Sequence, residues 1–137
     1  MPHFLHLINK LEYDTIYHEH LSYITVQPLI SFLKKYKMEI VDVQQRDIHG
    51  GSIRIFFSMI GNFKIKSNVA KVCKLESISK INSKKTLDIF SQKVKKNRFQ
   101  LVSLLTKLRN KNKKIIALSA PAKGMTLLNY CKIDNDY

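Results

Sequence analysis

The sequence predicts a mixed α/β fold, more closely an α+β fragment, and three observations carry this prediction. Apolar residues recur at helical spacing in several stretches, and short β-branched runs with alternating character lie between them. At 137 residues the chain has room for one domain or for parts of two. Its hydrophobic content of 45% is that of a globular protein and excludes wholesale disorder.

The individual elements follow from these patterns. An apolar stripe with a period near 3.6 marks each helix, and alternation among β-branched residues marks each strand. Thr25 precedes the second helix as a capping residue, and Pro28 lies in its first turn, where the missing N–H costs nothing. The predicted elements are helices over residues 1–11, 26–37, 67–80 and 85–112, strands over residues 38–43 and 53–57, and a final strand and helix over residues 114–118 and 125–131.

The last strand and helix, joined by a tight loop over residues 119–124, indicate the opening unit of a Rossmann-like domain. One such βα unit cannot bury both faces of its strand, so we expect this domain to be truncated. The sequence therefore divides into three predicted segments. They are the end of a first domain (1–60), a basic helical connector (61–114) and the first βα unit of a second domain (115–137).

The net charge of +14 is concentrated in the connector, where sixteen basic residues stand against two acidic ones. Twenty of the 24 basic residues are lysine, which attracts polyanions through phosphate neutralisation and without specificity. A solvated basic face explains this pattern best, so we expect no functional nucleic-acid binding. A basic nucleic-acid-binding protein stays open as an alternative.

The hydropathy pattern and the cysteine content indicate the cellular compartment. No run of about 18 apolar residues is present, and the first residues lack the layout of a signal peptide, so we expect no membrane segment. Cys73 and Cys131 are too few for a disulfide scaffold. These features predict a reduced, cytoplasmic chain.

A stretch between the first two helices places two histidines, a carboxylate and two phenols within seven positions, from Tyr17 to Tyr23. Histidine titrates near neutral pH and can act as a base, and a neighbouring glutamate can orient it. A polar loop with buried, hydrogen-bonded histidines is the structural alternative. A metal site built from His18, His20 and His49 is another, but the spacing is not H-E-x-x-H, and we expect no metal.

Two further segments contain small residues next to a charged or polar side chain. In His49-Gly50-Gly51-Ser52, glycine backbone amides can approach a ligand closely, although a turn that needs positive φ explains the pair equally. In the loop that ends at Lys123 and Gly124, a lysine lies at a helix N-terminus, where free N–H groups and the helix dipole favour phosphate.

Taken together and in this order along the chain, these segments resemble motifs of the sugar C-methyltransferase family. The motifs are Asp14–Tyr23 with its Tyr-His-Glu-His core, His49-Gly-Gly-Ser-Ile-Arg54, and Ala120-Pro-Ala-Lys-Gly124. Members of that family use S-adenosylmethionine to methylate a carbon of a nucleotide-linked keto-deoxysugar. The resemblance implies the end of a class I methyltransferase sheet, a helical connector and the start of a C-terminal Rossmann-like domain that binds the sugar nucleotide.

The resemblance also implies residue roles. His20 would be the general base that removes a proton α to the ketone, before the enolate carbon takes the methyl group. Tyr17 and Glu19 would position the sugar, which requires the backbone to turn there. The substrate, of the thymidine-diphosphate-sugar type, would meet the residues of the two other motifs: His49, Gly50, Gly51, Ser52, Arg54, Pro121, Ala122, Lys123 and Gly124.

Several departures separate this chain from the family pattern. Ala117-Leu118-Ser119 stands where Gly-Tyr-Gly is usual, Met125 where asparagine is usual, and Lys37 where a helix-ending glycine is usual. No Gly-rich cofactor loop and no zinc-binding cysteine quartet are present in the sequence. We therefore expect no S-adenosylmethionine binding by this chain alone, and inactivity unless a separately encoded N-terminal half completes it. A non-catalytic module that binds a sugar nucleotide or a partner is the remaining alternative.

Overall fold

A computed structural model describes residues 1–48 and 50–134 and confirms the α+β prediction. In these residues, five helices and one antiparallel strand pair form, together with a single 3-10 turn at Tyr13–Thr15. The elements are α1 (Phe4–Lys10), α2 (Val26–Lys34), β1 (Met38–Arg46), β2 (Ser52–Met59), α3 (Ser67–Ser79), α4 (Lys84–Asn110) and α5 (Ala122–Cys131).

The chain forms two compact units. The first comprises residues 1–12 and 22–87, and the second comprises residues 13–21 and 88–137. In the first unit, α2 and α3 pack on the strand pair and bury a cluster of aliphatic side chains. Its members are Val26, Leu33, Ile40, Val43, Ile53, Val69 and Val72. The three segments predicted from the sequence concern the domains of a longer protein and stay a prediction.

The strand pair is antiparallel, with Met38 opposite Met59 and Arg46 opposite Ser52. Its register shifts between Ile40 and Asp42, so β1 carries one extra residue, Val41. The carbonyl of Val41, the extra residue of this β-bulge, accepts the backbone N–H of Lys66 at 2.9 Å. The bulge therefore ties the segment before α3 to the sheet.

A buried carboxylate, rather than the predicted Thr25 hydroxyl, caps the start of α2. Thr25 occupies the N-cap position but makes no side-chain capping bond. Instead Glu76 of α3 accepts the backbone N–H groups of Val26, at 2.7 Å, and Gln27, at 3.1 Å. The same carboxylate accepts Nε2–H of buried His3 at 2.9 Å. The prediction of a Thr25 cap was wrong because the Glu76 carboxylate, from a helix distant in sequence, accepts these N–H groups in place of the Thr25 hydroxyl.

Near the C-terminus the structure corrects the predicted strand. Residues 114–118 have no regular secondary structure, and the helix predicted from Met125 begins at Ala122. A strand needs a neighbour for its backbone hydrogen bonds, and no third strand forms in the part of the chain that the structure describes. The predicted βα unit is therefore present only as its loop and helix.

Two of the residues that differ from the family pattern have a left-handed backbone conformation. Lys37, just beyond α2, has φ 55°, and Ser119 has φ 72°. Glycine adopts this region without steric cost, whereas residues with a β-carbon do not. The backbone at both positions thus keeps the conformation that the usual glycine favours, with a side chain in its place.

Candidate functional site

The Tyr17–His20 segment is an irregular turn in the second unit, as the predicted convergence on a substrate requires. It follows the 3-10 turn, and the backbone N–H of His20 donates to the carbonyl of Tyr17 at 2.9 Å. The turn brings the Tyr17 and His20 rings together, with centroids 4.6 Å apart at an interplanar angle of 40°. Both side chains are half-buried.

The His20 ring is oriented by a hydrogen bond within the same segment. Its Nδ1 atom lies 2.7 Å from the carbonyl oxygen of Thr15. Because a carbonyl only accepts, Nδ1 must carry the proton, and the neutral ring then has its lone pair on Nε2. This tautomer is the one that can take a proton through Nε2. Thr15 is the residue here that sequence reasoning missed, since a backbone carbonyl leaves no signal in the sequence.

The other two polar residues of the turn are exposed. Glu19 makes no hydrogen bond or ion pair within the part of the chain that the structure describes. His18 contacts the edge of the Tyr17 ring, with centroids 5.9 Å apart. The structure therefore brings Tyr17 and His20 together but leaves Glu19 at the surface of the turn.

A cavity of about 310 Å³ lies within the second unit, next to Tyr13 and Ile16, which precede this turn in the chain. Its wall is mainly apolar and aromatic, with the hydroxyl groups of Ser91 and Thr126 included; the other lining residues are Tyr13, Ile16, Phe90, Val94 and Tyr130. The Tyr13 hydroxyl donates to Asn97 Oδ1 of α4 at 2.7 Å, and its ring meets Tyr130 of α5 edge-on. Burial raises the pKa of Tyr13, so it stays a neutral donor. These contacts hold the 3-10 turn that precedes His20.

In the first unit, the predicted glycine pair lies in the turn between β1 and β2. Gly50 has φ 89° and Gly51 has φ 139°, so both need the freedom of glycine. A β-carbon at Gly50 would collide with the Glu12 carboxylate, and one at Gly51 would collide with the His6 ring. Close packing against the N-terminal segment thus gives a structural reason for both glycines. Their contact with a substrate stays a prediction.

The neighbouring candidates have different surroundings. The Ser52 hydroxyl donates to the carbonyl of Ile48 at 3.0 Å and closes the turn. Arg54 is exposed on β2, opposite Gln44 of β1. His49, also predicted as a substrate contact, lies outside the described residues.

The predicted phosphate-binding segment forms the start of α5. Pro121 is the N-cap, and Ala122, Lys123 and Gly124 form the first turn of the helix. No side chain caps this end, and a β-carbon at Gly124 would lie 3.3 Å from Cγ of Pro121. Lys123, half-buried, therefore lies at a helix N-terminus, the arrangement that the sequence predicts. Its binding to a phosphate stays a prediction.

The residues present do not fit a nucleotide-cofactor cradle. Of the four glycines in the chain, only Gly61 lies between a strand and a helix, alone and six residues before α3. Nor do three or more histidine, cysteine or acidic side chains group as metal ligands in residues 1–48 and 50–134. Both cysteines are free thiols whose pKa is raised by burial. No helix among the described residues is long and apolar enough to cross a membrane.

Two comparisons with known proteins bear on this site. Residues 47–137 match the family described as C-methyltransferase C-terminal domain. The chain is also 29% identical, over 132 residues, to C-methyltransferase NovU of Streptomyces niveus. That alignment covers 96% of this chain and 31% of the relative, so the chain spans about a third of the length of the protein it matches.

Proposed function

Because the chain belongs to the C-methyltransferase C-terminal domain family, we propose that it supplies the catalytic base of a sugar C-methyltransferase. The substrate class is a nucleotide-linked keto-deoxysugar, which the resemblance of the three motifs supports. The proposal depends above all on the His20 ring, which the Thr15 carbonyl holds in the tautomer with its lone pair on Nε2.

In this proposal the chain catalyses one step, the removal of a proton from the substrate. A C–H bond next to a ketone breaks, its proton goes to Nε2 of His20, and the electron pair forms an enolate. The Nδ1–H bond to Thr15 lets the ring gain that proton without turning, because the Nδ1 donor is already satisfied. Tyr17, whose ring lies next to that of His20 at a 40° tilt, would donate from its hydroxyl to a sugar oxygen. Glu19 would have to move inward to reach the same substrate.

The methyl-donor site is assigned to a part of the enzyme that lies outside this sequence. No glycine-rich turn of this chain can hold S-adenosylmethionine, and the curated relative is about three times as long as the aligned part. We propose that residues outside this sequence provide the donor site and that this chain alone transfers no methyl group. Lys123, at the start of α5, would meet the diphosphate of the sugar nucleotide.

A chimera tests the proposal. In it, the part of NovU that aligns with this chain is replaced by this chain, and methyl transfer to a thymidine-diphosphate keto-deoxysugar is measured. His20→Ala should lower the chemical rate by about 10²–10⁴-fold, the usual worth of a positioned base, with little change in substrate affinity. In deuterated water without a donor, the parent should also exchange deuterium into the carbon next to the ketone, and His20→Ala should not.

His18→Ala is the matched control, since His18 is two positions away and exposed. It should retain most of the rate and of the deuterium exchange. Equal losses in the two variants would contradict a specific base at His20 and would indicate a shared structural role. Unchanged exchange in His20→Ala would remove the proposed role altogether.

A further inference from the structure

The carbonyl oxygen of Thr15 positions both of the residues that the proposed reaction uses. It accepts Nδ1–H of His20 at 2.7 Å and the backbone N–H of Tyr17 at 3.0 Å. The position of this one oxygen therefore determines the tautomer of His20 and the start of the turn that brings the Tyr17 ring beside it. A contact that fixes this oxygen acts on the base.

The turn that carries this oxygen has little stability of its own. It is the 3-10 turn Tyr13–Thr15, which the backbone N–H of Ile16 closes by donating to the Tyr13 carbonyl at 3.1 Å. A 3-10 turn has poor hydrogen-bond geometry, and the first turn of any helix loses more conformational entropy than its one hydrogen bond offsets. The turn thus needs contacts from outside its own segment.

Tyr13 makes these contacts, and Asn97 of α4 is its polar partner. The Tyr13 hydroxyl donates to Asn97 Oδ1 at 2.7 Å, although the two residues are 84 positions apart. Tyr13 is buried, so its hydroxyl would be costly to leave without an acceptor. Its ring meets Tyr130 edge-on, and the Arg98 guanidinium lies 5.6 Å from the centroid of the Tyr130 ring. The packing orients the Tyr13 ring, and the hydrogen bond ties its outer end to α4.

We propose that Asn97 is a positioning residue for the base. By holding Tyr13, it keeps the Thr15 carbonyl where it accepts Nδ1–H, and so keeps the lone pair of His20 on Nε2. The inference rests on the proposed function in one respect, that His20 takes the proton of the substrate. Asn97 lies outside the three sequence motifs and acts through Tyr13, not on the substrate.

Loss of the hydrogen bond between Tyr13 and Asn97 has a defined chemical consequence. When the Thr15 carbonyl is no longer held, the neutral ring of His20 can carry its proton on either nitrogen. The form with the proton on Nε2 has no lone pair there and cannot accept a proton through that atom. Fewer molecules then hold a competent base, so kcat should fall, while KM should change little because sugar binding does not require the lone pair.

The tautomer of His20 can be measured in the full chain from long-range proton–nitrogen NMR spectra of the histidine rings, with His20→Ala to assign the signals. At about pH 8, above the ordinary histidine pKa of about 6.5, the parent should show a protonated Nδ1 and an unprotonated Nε2. Asn97→Leu removes the acceptor at similar size. It should lower the ratio of the Nδ1–H form to the Nε2–H form by about two- to tenfold, the range that one hydrogen bond accounts for. Tyr13→Phe removes the same bond from its other side and should give the same change.

Two matched variants separate positioning from a general loosening of α4. Asn97→Asp keeps an oxygen acceptor for the Tyr13 hydroxyl and should retain the tautomer ratio of the parent. Gln100→Leu makes the same amide-to-leucine change at an exposed position three residues further along α4, and it should also leave the ratio unchanged.

An unchanged ratio in Asn97→Leu or in Tyr13→Phe would overturn the inference. An equal change in Gln100→Leu, or a loss of the parent ratio in Asn97→Asp, would overturn it as well. If Asn97→Leu unfolds the second unit, Tyr13→Phe decides alone, because it keeps the ring that packs on Tyr130.

The chimera described above connects the tautomer to the reaction. There Asn97→Leu should lower kcat by the same factor of about two to ten with KM unchanged, and Asn97→Asp should restore kcat. A changed tautomer ratio with an unchanged kcat would count against His20 as the base, and therefore against the proposed function. It would not count against the hold of Asn97 on the turn, which the NMR spectra measure without any methyl transfer.

Discussion

The buried carboxylate of Glu76 should contribute more to stability than any other single polar group of the first unit. It is 1% exposed and accepts three hydrogen bonds, from His3, Val26 and Gln27. Glu76→Gln keeps the shape and one acceptor oxygen, but its amide group faces the N–H of Gln27 as a second donor. Hydrogen bonds to a charged group are worth about 1.5–3 kcal/mol, and an unsatisfied buried donor costs about 1–3 kcal/mol. We expect Glu76→Gln to lower the free energy of unfolding by about 2–4 kcal/mol.

Urea denaturation followed by circular dichroism measures this loss, with an unchanged m-value expected. Thr25→Val is the matched control: the position is the N-cap of the same helix, and the hydroxyl makes no capping bond. It should change the free energy of unfolding by less than about 0.5 kcal/mol, whereas an N-cap hydroxyl in use is worth about 1 kcal/mol. A loss below about 1 kcal/mol in Glu76→Gln, or a larger loss in Thr25→Val, would refute the assignment of the cap.

Three further measurements check other parts of the structure. Lys37→Gly should raise the free energy of unfolding by about 0.5–1 kcal/mol because Lys37 has φ 55°, while Lys35→Gly, at φ −61°, should lower it by a similar amount; urea denaturation of both variants decides this. Burial opposes ionisation of Asp42, but hydrogen bonds from Lys66 and two amides hold its pKa below the ordinary value. Its stabilising effect is therefore fully present above the ordinary pKa of aspartate and is lost as pH falls from there through the lowered pKa of the folded chain. Lys66→Met should make this loss of stability at acid pH smaller, which denaturation curves at several pH values would measure. An unchanged dependence of stability on pH would contradict the hydrogen bond between Lys66 and Asp42. The isolated chain should give no saturable heat on titration with micromolar S-adenosylmethionine, and saturable binding would mean that a donor site exists here.

Elements set by local pattern were predictable from the sequence. The apolar stripe that includes Leu29 and Leu33 predicted α2, and β-branched alternation predicted both strands, because these side chains bury one face of each element. The irregular turn at Tyr17–His20 was predictable because the proposed roles need side chains of this segment to converge on one substrate. In a straight strand, adjacent side chains would point to opposite faces instead. Positive φ at Gly50 followed from its place between two strands.

Features that depend on distant residues were not predictable in this way. The carboxylate that caps α2 belongs to a residue 50 positions beyond Val26, and no local pattern connects the two. Residues 114–118 have a strand-like composition, but a strand also needs a neighbour, which the described part of the chain does not provide. Likewise, the tautomer of His20 depends on the Thr15 carbonyl, which becomes visible only when the backbone path is known.

The cap on α2 also affects the kinetics of folding. Glu76 is 73, 50 and 49 positions from its three partners, so the bonds form only after long loops have closed. Contacts of this kind are expected late, after the transition state, and their loss then accelerates unfolding rather than slowing folding. A loss of about 2–4 kcal/mol corresponds to an unfolding rate higher by about 30–1,000-fold, with the refolding rate little changed. Glu76 thus determines how long the folded first unit survives against proteolysis, more than how quickly it forms.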